Sequence, residues 1–261
     1  MKNPLPAFLF VALITLTGCC VHSGLRHPES RQTLIDELKS DTVALVHRDS
    51  DGDISPFCSG VWIDKDKVIT ADHCARVPVE AFVQQLATGS EGNDELEKMV
   101  QDLEDDFKIQ YIVDKESTGV WREPKALHVL KVVKHDKEHD LALLQVVDPK
   151  DIQNHHVAPL VDKAPPVGAG VHIMGHPMGL IWTYVHGYIG AYREENFRPT
   201  KRKGPFIQIV GPVWKGNSGG GAYTEAGELI GLASFMAPAP NECFFIHVES
   251  IRSFLNRSVT R

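Results

Sequence analysis

Beyond residue 40 the chain is written in short apolar runs broken by turn residues. Thr42-Val43-Ala44-Leu45-Val46 is the first such run. Ser59-Gly60-Val61-Trp62-Ile63 and Lys67-Val68-Ile69-Thr70-Ala71 flank the polar turn Asp64-Lys65-Asp66, and together they predict a β-hairpin. Strands are also expected over Lys125 to Val133 and Asp140 to Val147, the second so apolar that both its faces should be buried. Pro159 to Gly170 is rich in proline and glycine and fits a connection between two halves. After it, strands are expected at Val171 to Met174, Thr183 to Tyr192, Phe206 to Val210, Gly221 to Thr224 and Glu228 to Phe235. Many short strands separated by turns favour an all-β sandwich or pair of barrels over an α/β sheet.

Three segments carry a helical period instead. Arg31 to Lys39 reads as a short helix, and Glu249 to Asn256 as a closing one. Between Glu91 and Lys108, Leu96, Met99, Val100, Leu103 and Phe107 recur at helical spacing among Glu and Asp. This predicts an acidic amphipathic helix inserted between strands. It is either a solvated decoration on a loop or a lid that repels anionic partners.

The first residues stand outside the fold. Lys2 precedes an apolar stretch, Ala7 to Thr17, too short to span a bilayer as a mature helix. It ends in Leu16-Thr17-Gly18-Cys19, which resembles the bacterial lipobox, in which the cysteine is acylated and becomes the new N-terminus. On that reading residues 1–18 are a signal peptide, Cys19 carries lipid, 19–40 is a tether and 41–256 is the folded domain. An ordinary signal peptide cut after small residues is the alternative. The protein is then exported to the bacterial envelope and held on a membrane by its acyl chains.

Composition adds two constraints. The 261 residues carry a formal charge of −7, which argues against a nucleic-acid partner. Of five cysteines, Cys19 goes to lipid, Cys20 lies in the tether, and Cys58 and Cys74 flank the hairpin. An oxidising compartment favours a Cys58–Cys74 disulfide over two buried thiols. Cys243 has no evident partner and reads as a small apolar residue of the core or of a pocket wall.

The chemistry lies in three separated runs: Thr70-Ala71-Asp72-His73-Cys74, His139-Asp140-Leu141-Ala142-Leu143-Leu144, and Gly216-Asn217-Ser218-Gly219-Gly220-Gly221. A serine hydroxyl is a poor nucleophile until an imidazole accepts its proton. That imidazole needs a carboxylate to fix its tautomer and stabilise its cation. The three runs supply one residue of each kind.

Taken in order, these runs resemble the histidine, aspartate and serine regions of chymotrypsin-fold serine peptidases. Gly175-His176-Pro177-Met178-Gly179-Leu180 with Gly187-Tyr188-Ile189-Gly190 is similar to the second barrel of bacterial HtrA-type trypsin-like peptidases. The resemblance covers roughly residues 40 to 256. It implies a double β-barrel, the first about 41–160 and the second about 170–248, with a cleft between them. It also implies a His73, Asp140, Ser218 triad, with the amides of Gly216 and Ser218 as oxyanion hole. Glycine at 216 suits a tight loop that aims two amides at one point. Asn217 stands where digestive proteases carry the aspartate that pairs with a newly cut N-terminus, so activation by cleavage is not expected. The chain ends soon after its closing helix, so the PDZ domains common in HtrA-type enzymes are not expected.

Specificity follows from the same resemblance. Gly211-Pro212-Val213-Trp214-Lys215 offers no carboxylate at the pocket floor, which disfavours basic P1 residues. With Pro212 there, Ser234 on the strand that pairs with substrate backbone and Cys243 lining S1, a small or medium apolar P1 residue is expected. The partner is a protein or peptide substrate; no cofactor or metal is expected.

Three other readings compete. Gly216 to Gly220 fits G-x-S-x-G, the nucleophile elbow of α/β-hydrolases, but no Asp follows Ser218. His135-Asp136-Lys137-Glu138-His139 fits the zinc-peptidase pattern H-x-x-E-H, which requires a helix where strands are expected. The third is a catalytically silent, surface-anchored binding protein on a protease scaffold.

Overall fold

In a computed structural model of the chain, residues 30–48, 54–76, 108–112, 127–149, 155–194, 201–237 and 241–257 are described. The expected signal segment, Cys19 and Cys20, and the acidic run 91–107 lie outside them. Among the described residues no helix is long and apolar enough to cross a membrane.

Two closed six-stranded antiparallel barrels form the body. The first contains β1 (Thr42–Arg48), β2 (Ile54–Asp64), β3 (Lys67–Ala71), β4 (Lys108–Ile112), β5 (Leu127–Asp136) and β6 (Leu141–Val146), in the order β1-β2-β3-β6-β5-β4. The second contains β7 (Gly170–Gly175), β8 (Thr183–Arg193), β9 (Phe206–Val210), β10 (Gly221–Tyr223), β11 (Leu229–Met236) and β12 (Glu242–His247), in the order β10-β11-β12-β9-β8-β7. Helix α1 (Arg31–Asp41) precedes the first barrel, α2 (72–76) follows β3, and α3 (Val248–Asn256) follows β12.

The near-continuous apolar runs have a geometric cause. Successive strand residues point to opposite faces, and here both faces are covered. Val43 and Leu45 join Trp62, Val68, Leu130 and Leu144 inside the first barrel. Their neighbours Ala44 and Val46 turn outward into a cluster with Met174, Phe206, Tyr223 and Phe244 of the second. The second barrel repeats the pattern, with Ile173 and Phe245 inside it and Met174, Phe244 and Ile246 in the shared cluster. The two barrels are therefore joined by a third hydrophobic layer.

Several boundaries differ from the sequence expectation. The acidic helix was expected to reach Lys108, but Lys108 begins β4, which closes the first barrel by pairing with β1 and β5. β2 begins five residues early at Ile54, and a register shift between Leu45 and Val46 places Pro56 opposite Val46. Such an irregularity accommodates a residue that cannot donate to the ladder. The tether expectation also changes at its end. α1 is capped by the Ser30 side chain, which accepts from Thr33 N, and it buries Leu34 and Leu38. His156 N donates to Ser40 Oγ at 2.9 Å and His156 Nδ1 lies 2.6 Å from Asp41 Oδ1, so the inter-barrel connection clasps this helix.

Cys58 and Cys74 form a disulfide, with Cα atoms 6.0 Å apart and a sequence separation of 16. It ties β2 to the helical turn that carries His73. Closing a loop of this length contributes about 3 kcal/mol in the chain-entropy model. Replacing both cysteines by alanine is expected to lower the unfolding free energy by about 2–4 kcal/mol. Urea melts of the two proteins check this, and coincident midpoints would refute it.

Candidate active site

The end of the β3–β6 ladder assembles the first half of the site. Ala71 pairs with Leu141, and Asp72 N donates to Asp140 O at 3.0 Å. His73, the next residue, is therefore carried to the Asp140 side chain. Asp140 Oδ1 accepts from His73 N at 3.0 Å and lies 2.9 Å from His73 Nδ1. Ser234 Oγ donates to Asp140 Oδ2 at 2.5 Å, and Arg202 Nε lies 3.3 Å from the same oxygen. Asp140 adopts φ +57°, a left-handed conformation that Asp tolerates better than most residues.

Asp140 is 1% exposed. Burial alone would raise its pKa, but the hydrogen bond and charge of His73, then Arg202 and Ser234, hold it below the ordinary carboxylate value. An ionised carboxylate against Nδ1 keeps a proton on that nitrogen and leaves Nε2 free to accept one. The neighbouring Asp72 is also buried but is engaged elsewhere, by Arg76 at 2.8 Å and His135 at 3.3 Å.

The second half is a loop docked across the barrel seam. Ser218 O accepts from Ser59 N at 2.8 Å, and Cys74 Sγ lies 3.6 Å from the same oxygen. Gly219, at φ +79°, approaches so closely that a Cβ would meet Thr70 Oγ1 at 2.1 Å and Ser59 O at 2.2 Å. Thus the serine backbone abuts the strand ends that lead to His73. The His73 ring and the Ser218 hydroxyl form no hydrogen bond with each other in this structure; such contacts often tighten only with substrate.

The peptide planes of this loop are pinned by their carbonyls. Lys215 O accepts from Met178 N at 2.8 Å, and Asn217 O from Gly220 N at 2.7 Å. The amides on those same planes belong to Gly216 and Ser218, and neither donates a hydrogen bond among the described residues. Asn217, Gly219 and Gly220 amides do, to Trp214, Ala233 and Asn217 carbonyls. Gly216 has φ +96°, and a Cβ on it would sit 2.4 Å from His176 O. Two fixed, unclaimed donors beside a serine are what an anionic tetrahedral intermediate requires.

Sequence reasoning missed three contributors. Ser59 Oγ donates to Gly216 O at 2.8 Å and lies 2.9 Å from His176 Nδ1. This cross-barrel hydroxyl thereby orients the loop that precedes Ser218. His176 is fully buried, and its Nε2 has no hydrogen-bond partner among the described residues. The third is Arg202, whose Nη1 lies 3.4 Å from Ser234 O and whose Nη2 lies 3.3 Å from His73 Nδ1. His176 sat inside a motif already singled out; nothing in the flanking sequence marked Arg202.

The expected specificity residues separate. Pro212 is exposed, whereas Cys243 packs inside the second barrel with Val185, Ile189, Ile209 and Val213. Its thiol donates to Ile209 O at 3.3 Å and burial pushes its pKa up to about 12, so it is core and not an open pocket wall. The H-x-x-E-H run spans the end of β5 and a turn, with His139 bonded to Asp136 and His135 directed at Asp72, so its two histidines do not converge. A third group, Cys58, His73 and Cys74, brings together potential metal donors, but the disulfide consumes both sulfurs.

Paired barrels with a His–Asp couple from one and a serine loop from the other define the trypsin-like class of fold, and exclude the α/β-hydrolase reading. Residues 58–232 match the trypsin-like peptidase domain family, and the chain belongs to that family. It is similar to the periplasmic serine endoprotease DegP of Salmonella typhimurium, 33% identical over 109 residues, which are 41% of this chain and 22% of that protein. The probable periplasmic serine endoprotease DegP-like of Brucella suis is 38% identical over 103 residues, 39% of this chain and 19% of that protein. The matched segment thus spans about a fifth of those relatives. The fold is shared with the active form of the Rv3671c protease from M. tuberculosis, at TM-score 0.60 and 15% identity over 97% of this chain and 93% of that one. It is shared as well with a serine endoprotease from Yersinia pestis, at TM-score 0.59 and 20% identity over 88% and 66%.

Burial holds the His176 pKa down at about 3, against 6.5 for the free side chain. As pH falls through 6.5 the unfolded chain takes up a proton that the folded protein refuses. The stabilising contribution is therefore complete above about pH 6.5 and is lost progressively toward pH 3. By pH 4.5 this amounts to about 2–3 kcal/mol. His176→Gln is expected to flatten the fall in denaturation midpoint between pH 7 and 4.5; parallel profiles for the two proteins would contradict it.

Proposed function

We propose that the protein is a serine endopeptidase that cleaves peptide bonds through Ser218, His73 and Asp140. The arrangement that carries this reading is the pinned pair of amides at Gly216 and Ser218, set beside a part-buried His73 coupled to a buried Asp140. Ser218 Oγ attacks the scissile carbonyl as His73 Nε2 takes its proton, giving a tetrahedral oxyanion held by the two amides. Collapse expels the amine, protonated by His73, and leaves an acyl group on Ser218. Water, deprotonated by His73, then releases the acid. Asp140 stays ionised throughout and stabilises the imidazolium. Each oxyanion donor contributes about 3–4 kcal/mol to lowering the barrier.

Arg202 bears on how substrate enters. Ser234 O is the carbonyl that pairs with substrate backbone in this reading, and Arg202 Nη1 already lies 3.4 Å from it. A bound peptide displaces or shares that contact. The 211–215 segment offers no carboxylate, so small or medium apolar P1 residues are preferred over basic ones.

The relatives named above are periplasmic, which supports export. We place the domain on the envelope membrane, tethered through lipid on Cys19. Cys19→Ser is expected to abolish incorporation of labelled fatty acid and to move the protein from the membrane to the soluble fraction. Unchanged fractionation would remove the anchor from this proposal.

A fluorophosphonate probe tests the chemistry. The wild type is expected to label and Ser218→Ala to lose labelling entirely, with at least a 1,000-fold drop in peptide cleavage, on the order of a lost nucleophile. A peptide library should show cleavage after Val, Ala or Leu in preference to Arg. A folded wild type that never labels would favour a silent binding protein instead.

A further inference from the structure

The second barrel carries a cluster that the peptidase reading does not use. His172 and His186 face each other directly across the β7–β8 ladder, and opposed residues on one face bring their side chains into contact. Tyr223 pairs with His172 from β10, and the turn after β10 delivers Glu225 to the same place. That turn is fixed by Thr224 N to Glu228 O and Gly227 N to Thr224 O. His172 Nε2 lies 2.8 Å from Glu225 Oε2, and His186 Nε2 lies 3.5 Å from Glu225 Oε1. One ligand atom from each residue falls within 4.8 Å of the others.

We propose that His172, His186 and Glu225 bind a divalent first-row transition ion, zinc foremost. Donors bonded to tetrahedral zinc at about 2.0–2.1 Å are separated by roughly 3.3 Å. The two imidazole nitrogens lie 2.8 and 3.5 Å from the two Glu225 oxygens, and one donor atom from each residue already stands within 4.8 Å of the others, so side-chain rotation brings the three to that spacing. Two imidazoles with one carboxylate suit zinc and disfavour magnesium or calcium, which take oxygen ligands. Three protein ligands leave a fourth position for water.

Two further features fit a cation. His172 Nδ1 lies 2.7 Å from the Tyr184 hydroxyl, the outer partner that orients metal-bound imidazoles. When the ion takes the Nε2 lone pair, the His172 proton resides on Nδ1 and is donated to Tyr184 Oη, which accepts as readily as it donates. In addition, Gly170 leaves space over the cluster. A Cβ there would stand 2.9 Å from Glu225 Oε1 and 3.1 Å from His186 Nε2, crowding two of the three ligand atoms. The sequence offered no spacing signature, because the three residues come from three separate elements.

The site ties the β7–β8 hairpin to the β10–β11 turn. It uses no residue of the catalytic group, so its test is independent of peptidase activity. Zinc is titrated calorimetrically into the full chain, with melting temperature followed in parallel and cobalt absorption reporting coordination. His172 is buried and bonded to Tyr184, so the variants are His186→Ala and Glu225→Gln, on partly exposed side chains. The expected result is one zinc per chain, a zinc-dependent rise in melting temperature, and four-coordinate cobalt bands. Both variants should weaken binding by tenfold or more while their metal-free melting stays near the wild type. Absence of saturable uptake, or uptake that the two variants leave unchanged, would overturn the assignment.

Discussion

The active site depends on one constraint: the serine loop belongs to the second barrel but is held by the first. Ser59 N captures Ser218 O, Ser59 Oγ captures Gly216 O, and Gly219 admits no side chain against Thr70 and the Ser59 carbonyl. These contacts set the Ser218 backbone next to the turn carrying His73 and orient the peptide planes that carry the Gly216 and Ser218 amides. They also explain the buried polar pair Ser59 and His176 at the seam. Buried backbone carbonyls must be satisfied, and a hydroxyl supplies the bond to Gly216 O without bringing a charge into the interior.

That docking holds because the barrels are packed, not hinged. Each strand at the seam contributes alternate side chains to its own barrel and to the shared layer, so separating the halves would expose Met174, Phe206 and Tyr223 together with Val61 and Ile69. Trp182 adds a hydrogen bond from Nε1 to Thr42 O at 3.4 Å, fixing the second barrel to the start of β1. α1 reinforces the same arrangement: Leu34 and Leu38 enter the shared layer, and Leu34 Cδ1 lies 3.2 Å from where a Cβ on Gly227 would be. A segment that looks like tether by composition thus becomes part of the packing, because two leucines four residues apart find a surface only in the folded state.

The architecture was readable where local pattern and burial agree. The β2–β3 hairpin, β6 and α3 announce themselves through apolar runs bounded by turn residues, and the strand ends bearing His73 and Asp140 followed from them. β4 was unreadable because Lys108-Ile109-Gln110-Tyr111-Ile112 adjoins an acidic run with a helical period, and pairing with β1 and β5 decides its state. Which of the two readings of Cys243, core or pocket wall, applies was undecided for a similar reason. Its face of β12 is set by register against β9, where Cys243 meets Ile209. The Arg202 and Ser59 contacts are long-range, 32 to 157 residues apart along the chain, beyond the reach of any local motif.

β7 connects features that are otherwise separate. His172 lies near its start, Gly175 ends it, and His176 follows at once. A Cβ on Gly175 would meet Asn217 Oδ1 at 2.2 Å, and His176 O would stand 2.4 Å from a Cβ on Gly216. The strand therefore forms the wall against which the Gly216–Ser218 loop is cast. A register slip of one residue would reverse every side chain on β7, bringing the bulk of Met174 toward Asn217 and removing His172 from His186. Whatever fixes the β7–β8–β10 register at the His172 end consequently preserves the loop wall at the Gly175 end. The close packing of Gly175 and Gly216 and the pairing of His172 with His186 therefore depend on a single alignment of these three strands.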